Sequence, residues 1–202
     1  MTQFRVRAAR TTVDAARACA IAALAIALAW TSAGAVAAPA APTERSASAY
    51  VRAWLPEARM VGSGRLTWFG LHAYDAALFA PQGRFAADRP FALELTYARD
   101  FKGEAIAERS ISEIRKLGKL SEPDAAPWSA LLRELFPDVR RGDRLTGIAG
   151  VDGAARFYLN GRAIGTLADE RLARAFFAIW LDSRTSAPGL RKQLLGLAGP
   201  AS

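Results

Sequence analysis

The 202-residue chain contains a single cysteine, Cys19, and a single histidine, His72. A lone histidine with no cysteine and no arranged acidic partners cannot form a zinc site. It also leaves the serines without an evident general base, which argues against a catalytic triad. Cys19 lies within an N-terminal segment that reads as cleavable, so the mature chain would have no disulfide. We therefore expect packing alone to stabilise the fold.

The first 37 residues have the pattern of a secretory signal peptide. The segment before the apolar run contains four arginines, Arg5, Arg7, Arg10 and Arg17. The apolar run extends from Ala18 to Trp30, and Ala35-Val36-Ala37 supplies a small-residue cleavage site. The run is shorter than the roughly 20 residues needed to cross a bilayer, so a retained membrane anchor is the less favoured alternative. Cleavage after Ala37 predicts a periplasmic protein whose mature chain has no transmembrane segment.

The Pro/Ala/Ser-rich stretch at residues 38–49 is predicted to be a disordered lead-in to one domain over residues 50–198. Cleavage removes four arginines and one aspartate, which lowers the formal charge from +8 to +5. The remaining cations are scattered and interleaved with acids, so no basic run is long enough to track the phosphates of a nucleic acid. The charge instead favours weak attraction to anionic lipid or to an acidic ligand.

Several segments alternate between apolar and polar residues as half-buried strands do. Phe91–Tyr97 is the clearest strand, and the strand around Phe157 is followed by Asn160-Gly161, a typical type I′ hairpin turn. Val61–Phe69 is also predicted to be a strand, in which Gly62 and Gly64 indicate a bulge or a close backbone approach.

Helical spacing of apolar residues predicts helices over 102–117, from Pro127 to Phe136, from Asp169 through Leu181, and from Pro188 to Leu197. Tyr50 to Leu55 is compatible with a short helix or with a strand. Strands that alternate with pairs of helices predict an α+β fold, an antiparallel sheet covered on one face by helices. A cleft between the two layers is the usual place for a small apolar ligand.

A set of short segments spread over residues 50–197 carries a resemblance to a known family. The segments are Gly62-Ser63-Gly64-Arg65-Leu66, Ala73-Tyr74-Asp75-Ala76, Phe91–Tyr97, Ala107–Glu113, Phe136–Val139 with Gly142-Asp143, Phe157–Gly161, Phe176–Leu181 and Leu190-Arg191 before Leu194-Leu195. With these segments the chain resembles the chalcone isomerase fold family, specifically its bacterial exported branch. The resemblance implies a sheet-plus-helices fold whose cleft, in the plant enzymes, closes chalcones into flavanones.

The plant catalytic pattern is largely missing from the corresponding positions. Its threonine position falls near Gly70, and Lys102 and Arg109 stand where a tyrosine and an asparagine would be expected. The late hydroxyl falls near Ile179, so two positions have no donor to hold a ketone and an attacking phenolate. Isomerase activity is therefore the alternative, and we expect a protein that is not an enzyme.

The resemblance implies binding of a fatty acid-like amphipathic ligand, because non-catalytic relatives of this fold bind fatty acids. The expected ligand-binding residues are Arg59, Arg65, Tyr74, Lys102, Arg109, Phe176, Ile179 and Trp180. The helix residues among them would contact the tail, and the arginines would bind the head group at the rim.

Two further interpretations remain open at this point. Haem would be a cofactor that uses the same arginines for its propionates, with His72 or Tyr74 on the iron. A structural or partner-binding module with a filled core is the other. General acid–base chemistry is not expected, because Glu108 and Glu113 are predicted to lie on an exposed helix face, with Glu113 one turn from Arg109.

Overall fold

A computed structural model of the chain describes residues 47–198. The predicted signal peptide, its cleavage site and the lead-in up to residue 46 lie outside the described residues. The structure describes the last three residues of the predicted lead-in: Ala47 is buried, Ser48 is the N-cap residue, and Ala49 is the first residue of the first helix. Within residues 47–198, none of the helices combines the length and the apolar character needed to cross a membrane.

The fold is a six-stranded antiparallel sheet with five helices, which confirms the predicted α+β class. The elements in chain order are α1 Ala49–Trp54, β1 Ala58–Trp68, β2 Leu71–Pro81, β3 Phe91–Tyr97, α2 Gly103–Lys116, α3 Glu122–Leu135, β4 Arg144–Ala149, β5 Ala155–Leu159, β6 Arg162–Leu167, α4 Glu170–Leu181 and α5 Pro188–Leu194. The strands lie in the sheet in their chain order, so each strand pairs with its neighbours in sequence.

The two faces of the sheet are covered differently. Alternate residues of β2, such as Ala76 and Leu78, face the larger core, to which α2–α5 contribute. The residues between them, Ala77 and Phe79, face a smaller core that Val51 of α1 completes. The segment that the sequence left open as helix or strand is thus a helix, and it covers the second face because that face is apolar too.

Two local predictions about the backbone are confirmed. Asn160 and Gly161 have φ angles of +51° and +84°, as a type I′ turn between β5 and β6 requires. A β-bulge occurs between Met60 and Gly62, and α5 packs so closely there that a Cβ atom on Gly62 would lie 2.1 Å from the Gln193 carbonyl oxygen. Gly62 is therefore the point at which α5 approaches the sheet.

The start of one helix differs from the prediction. Helix α3 begins at Glu122, and Pro127, the expected first residue, lies inside it. An earlier start signal explains the difference, since Ser121 is at the N-cap position and Pro123 is in the first turn. The start of α4 is as predicted: the Asp169 carboxylate accepts hydrogen bonds from the backbone N–H groups of Arg171 and Leu172.

Candidate functional site

Three of the predicted ligand-binding residues meet where β2, α2 and α4 pack together. The Tyr74 hydroxyl accepts a hydrogen bond of 2.9 Å from Trp180 Nε1, and the charge of Arg109 acts on the same hydroxyl. Burial is the main reason that the pKa of Tyr74 is raised to about 12. The hydroxyl is therefore protonated at neutral pH and can still donate one hydrogen bond.

A buried carboxylate lies beside these three side chains. Glu113 is only 4% exposed, and it accepts hydrogen bonds from Ser186 Oγ at 2.5 Å and Lys116 Nζ at 2.9 Å. Arg109 Nη2 lies 2.9 Å from the same carboxylate. Burial opposes ionisation of Glu113, but these hydrogen bonds and the two positive charges outweigh it and hold its pKa below the usual value.

The prediction that Glu113 lies on an exposed helix face is therefore wrong. Ser186, in the segment that follows α4, packs on Glu113 and donates a hydrogen bond to it. Glu108 is exposed, as expected. We call Tyr74, Arg109, Glu113, Trp180 and Ser186 the polar cluster. At the edge of the cluster, the Arg109 guanidinium also lies 5.1 Å from the centroid of the Trp68 ring.

Phe176 and Ile179, the predicted tail contacts, lie next to the polar cluster on α4. Phe176 is buried in an aromatic core, with ring centroids 5.2 Å from Phe157, 5.3 Å from Trp180 and 5.5 Å from Phe136. Ile179 is half-buried, and its backbone carbonyl accepts a hydrogen bond from the Thr185 hydroxyl. Both side chains thus belong to packing that is already formed.

The remaining predicted cations are not brought to the polar cluster. Arg65 pairs with Asp75 at 3.0 Å, and both side chains lie on the sheet face opposite Tyr74, because they neighbour the Leu66–Tyr74 pair in the register. Lys102 pairs with Asp138 at 2.7 Å on the surface. Arg59 is at the far end of the β1–β2 hairpin, opposite Ala80.

The possible iron ligands are already engaged in other contacts. His72 Nε2 lies 3.2 Å from Asp75 Oδ1, but the two groups are not oriented so as to form a hydrogen bond. The Tyr74 hydroxyl is held by Trp180. Among the residues that the structure describes, no three histidine, cysteine or acidic side chains lie close enough together to hold a metal ion. Haem would have to displace one of these contacts to gain a ligand from the chain.

An open cleft lies elsewhere, between α4 and one end of the sheet. Its volume is about 530 Å³, and its apolar residues include Phe91 at the start of β3 and Phe177 and Leu181 on α4. The small side chains Ala173 and Ala178 leave room beside these larger groups. We call this space the α4 cleft. None of the predicted ligand-binding residues lines it.

The rim of the α4 cleft carries charges of both signs. Arg174 pairs with Glu170 at 2.6 Å, and Lys119 pairs with Asp182 at 3.3 Å. The third cation, Arg89, is exposed and forms no ion pair with any residue from 47 to 198. Asp88 also lines the rim, so the cleft carries three cations and three acids. A carboxylate that entered the cleft would meet in Arg89 one guanidinium that is not already in an ion pair with residues 47–198.

The sequence predictions missed the residues of this cleft. On α4, the sequence predicts Phe176, Ile179 and Trp180 as the ligand contacts, and none of these three lines the cleft. Ala173, Phe177 and Leu181 recur at intervals of four residues and form a neighbouring stripe, which was the available signal. No local pattern would have identified Arg89, because it reaches the cleft from the loop between β2 and β3.

Comparison with known proteins agrees with the fold. Residues 59–196 match the family described as chalcone isomerase-like. No curated protein sequence matches the chain. Among solved structures, the chain is similar to a fatty-acid-binding protein of Arabidopsis thaliana, with a TM-score of 0.56 and 12% sequence identity. The match covers 74% of this chain and 89% of the plant protein, and at this identity it shows a shared fold.

Proposed function

The chain belongs to the chalcone isomerase-like family, and we propose that it binds an amphipathic organic acid, such as a fatty acid, without converting it. The α4 cleft carries this proposal, since it combines apolar walls with a rim on which Arg89 forms no ion pair with residues 47–198. Its volume of about 530 Å³ lies within the range of about 300–1,000 Å³ that is usual for small-molecule sites. The name of the plant protein of the same fold supports a ligand of this class.

The rim of the cleft carries a guanidinium group that can bind a carboxylate head group. Arg89 has a guanidinium that can donate two parallel hydrogen bonds to one carboxylate. Arg174 is nearby on α4, and its ion pair with Glu170 is exposed on both sides, so it contributes little and exchanges readily. The tail would lie against the half-buried side chains of Phe85, Ala178 and Leu181, because Phe91 and Phe177 are only 5% and 4% exposed. Each methylene that is buried there contributes about 0.8 kcal/mol.

Several features favour binding without catalysis. Gly70, near the expected threonine position, lies in the β1–β2 turn and has no side chain. Ile179, near the expected late hydroxyl, has no donor either. A ketone and a phenolate held at these positions would lack the positioned donors that cyclisation needs. Isomerase activity is the alternative, and it would depend on the polar cluster rather than on the α4 cleft.

We also propose that the protein acts in the periplasm after cleavage behind Ala37. The basic start, the apolar run and the small-residue site of the sequence support this proposal. The mass of the exported protein tests it: a chain that begins at Ala38 is expected. A mature chain that still contains Ala18 to Trp30 would contradict it.

Thermal unfolding in the presence of dodecanoate tests the binding proposal. At a ligand concentration of 100 times Kd, binding to the folded state stabilises it by about 2.7 kcal/mol, or about 5–11 °C for a chain of this size. We expect Arg89→Gln and the cleft-filling Ala178→Leu to abolish most of this shift. Arg84→Gln is the matched control, because it lies in the same loop outside the cleft.

The same measurement distinguishes the α4 cleft from the originally predicted site. A shift that survives in both cleft variants and is lost in Arg109→Gln would move the ligand to the polar cluster. The absence of a shift with any fatty acid tried would refute the proposal. A Soret band in protein purified from its own periplasm would support haem instead.

A further inference from the structure

The β1–β2 hairpin ends in an exposed apolar surface. Trp68 is 51% exposed, Phe69 86% and Leu71 53%, and we call residues 68–71 the hairpin tip. Tyr74 pairs with Tyr97 at the end of β3, so the hairpin continues beyond β3 by about three residues, or roughly 10 Å. Single exposed apolar side chains are common on soluble proteins, but three on one projecting turn mark an interaction surface.

The turn itself does not explain the presence of Phe69. Phe69 and Gly70 have φ angles of +48° and +73°, the combination found in a type I′ turn. Asparagine, aspartate or glycine is the favoured residue at the first of these positions, since a bulky side chain disfavours positive φ. Phe69 therefore makes the turn less stable than asparagine would, and its aromatic ring is exposed to solvent.

Cations surround this end of the sheet. The antiparallel register places the end of β3 and the starts of β4 and β6 at the same end of the sheet as the hairpin tip. The loops at residues 98–102 and 137–143 connect to these strands and lie at that end too. These segments carry six exposed cations, Arg99, Lys102, Arg140, Arg141, Arg144 and Arg162, against three acids, Asp100, Asp138 and Asp143. Two of the cations are in ion pairs, Lys102 with Asp138 and Arg144 with Glu94. The Arg109 guanidinium, paired with Glu113, lies 5.1 Å from the centroid of the Trp68 ring.

We propose that the hairpin tip inserts into the headgroup region of an anionic lipid bilayer, with the surrounding cations on the lipid phosphates. Tryptophan and other apolar side chains at a projecting turn suit the boundary between headgroups and acyl chains. Basic residues at the same edge are attracted to a negatively charged bilayer surface. This interaction goes beyond fatty-acid binding, because the hairpin tip lies at the end of the sheet opposite the α4 cleft and needs no ligand there.

Sedimentation with vesicles tests the proposal on protein whose N terminus has been determined and is the same in every variant. Vesicles of phosphatidylethanolamine with phosphatidylglycerol are compared with phosphatidylcholine vesicles. We expect binding to the anionic vesicles only, weakened as salt shortens the range of electrostatic attraction. The double variant Phe69→Asn/Leu71→Thr should bind at least about tenfold more weakly, because it loses most of the inserted apolar surface.

The variants are chosen so that unfolding cannot imitate the expected result. Asparagine suits positive φ and threonine suits a strand, so the double variant should unfold at or near the wild-type temperature. Val151→Ser is the matched control for vesicle binding only: Val151 is 90% exposed in the turn at the opposite end of the sheet, where it lines the α4 cleft, and its loss should leave vesicle binding unchanged.

Three results would overturn the proposal. The first is no binding to anionic vesicles, and the second is equal binding by the wild type and the double variant. The third is self-association that depends on the tip and occurs without vesicle binding, which would make the surface a contact between two copies. The dodecanoate-induced shift, measured without vesicles, should be the same in the tip variants, so failure of one proposal is distinguishable from failure of the other.

Discussion

Replacement of Gly62 by alanine tests how α5 is held on the sheet. A Cβ atom at this position would lie 2.1 Å from the Gln193 carbonyl oxygen and 2.7 Å from that of Leu194. Both oxygens belong to the backbone of α5, so neither can rotate away as a side chain would. The helix must move off β1, or β1 must bend away from it.

The expected cost follows from what α5 buries. Leu190 and Leu194 are almost completely buried against the larger core. Full burial of each contributes about 1.5–3 kcal/mol, so complete displacement of the helix would cost about 3–6 kcal/mol. We expect Gly62→Ala to lose about 3 kcal/mol, which lowers the unfolding temperature by about 6–12 °C.

Two other glycines complete a graded series for urea and thermal unfolding. A Cβ atom on Gly64 would meet the Gln193 side chain, which can rotate, so Gly64→Ala should cost less than Gly62→Ala. Gly189 lies in α5 with no atom within 4 Å of the added carbon, and alanine there should be neutral or stabilise by up to about 1 kcal/mol. Gly62→Ala within about 0.5 kcal/mol of the wild type would refute the reasoning.

Three further predictions concern the polar cluster and the alternative activity. Tyr74→Phe leaves Trp180 Nε1 without its acceptor in a buried site, so urea denaturation should show a loss of about 1–3 kcal/mol, and an unchanged midpoint would contradict this. Because the folded state lowers the pKa of Glu113, its contribution to stability is present above the usual value of about 4.5 and is lost as pH falls through the lower, folded value. Glu113→Gln should therefore show a shallower loss of stability between neutral pH and pH about 3, and an identical pH profile would contradict the assigned shift. Chalcone cyclisation at neutral pH should be no faster with the protein than without it, whereas acceleration that is lost in Arg109→Gln would favour the isomerase alternative.

The elements that the sequence predicted well are those specified by neighbouring residues. Asn160-Gly161 specifies its own turn, and Asp169 specifies the start of α4 through hydrogen bonds to the next two residues along. The glycine pattern around Gly62 indicated a close approach for a steric reason that does not depend on knowing the partner. The alternation in Phe91–Tyr97 predicted a strand regardless of where it lies in the sheet.

The features that the sequence did not predict depend on segments far apart in the chain. Glu113 is buried because Ser186, 73 residues later, is carried onto it. The α4 cleft needs a loop between two strands, a hairpin turn and a helix to leave space between them. The spacing of apolar residues showed that α4 has a buried face, but the width of that face depends on what packs beside it. Ala173 and Phe177 are buried like the other core residues of α4, so the sequence did not show that they also line a cleft.

The position of a bound ligand tests the central claim most directly. A crystal structure of the protein with a terminally brominated fatty acid would locate the bromine by anomalous scattering and the carboxylate from its density. We expect the bromine among Phe91, Phe177 and Leu181 in the α4 cleft, and the carboxylate on Arg89. A bromine beside Tyr74 and Trp180, with the carboxylate on Arg109, would contradict the α4 cleft as the binding site.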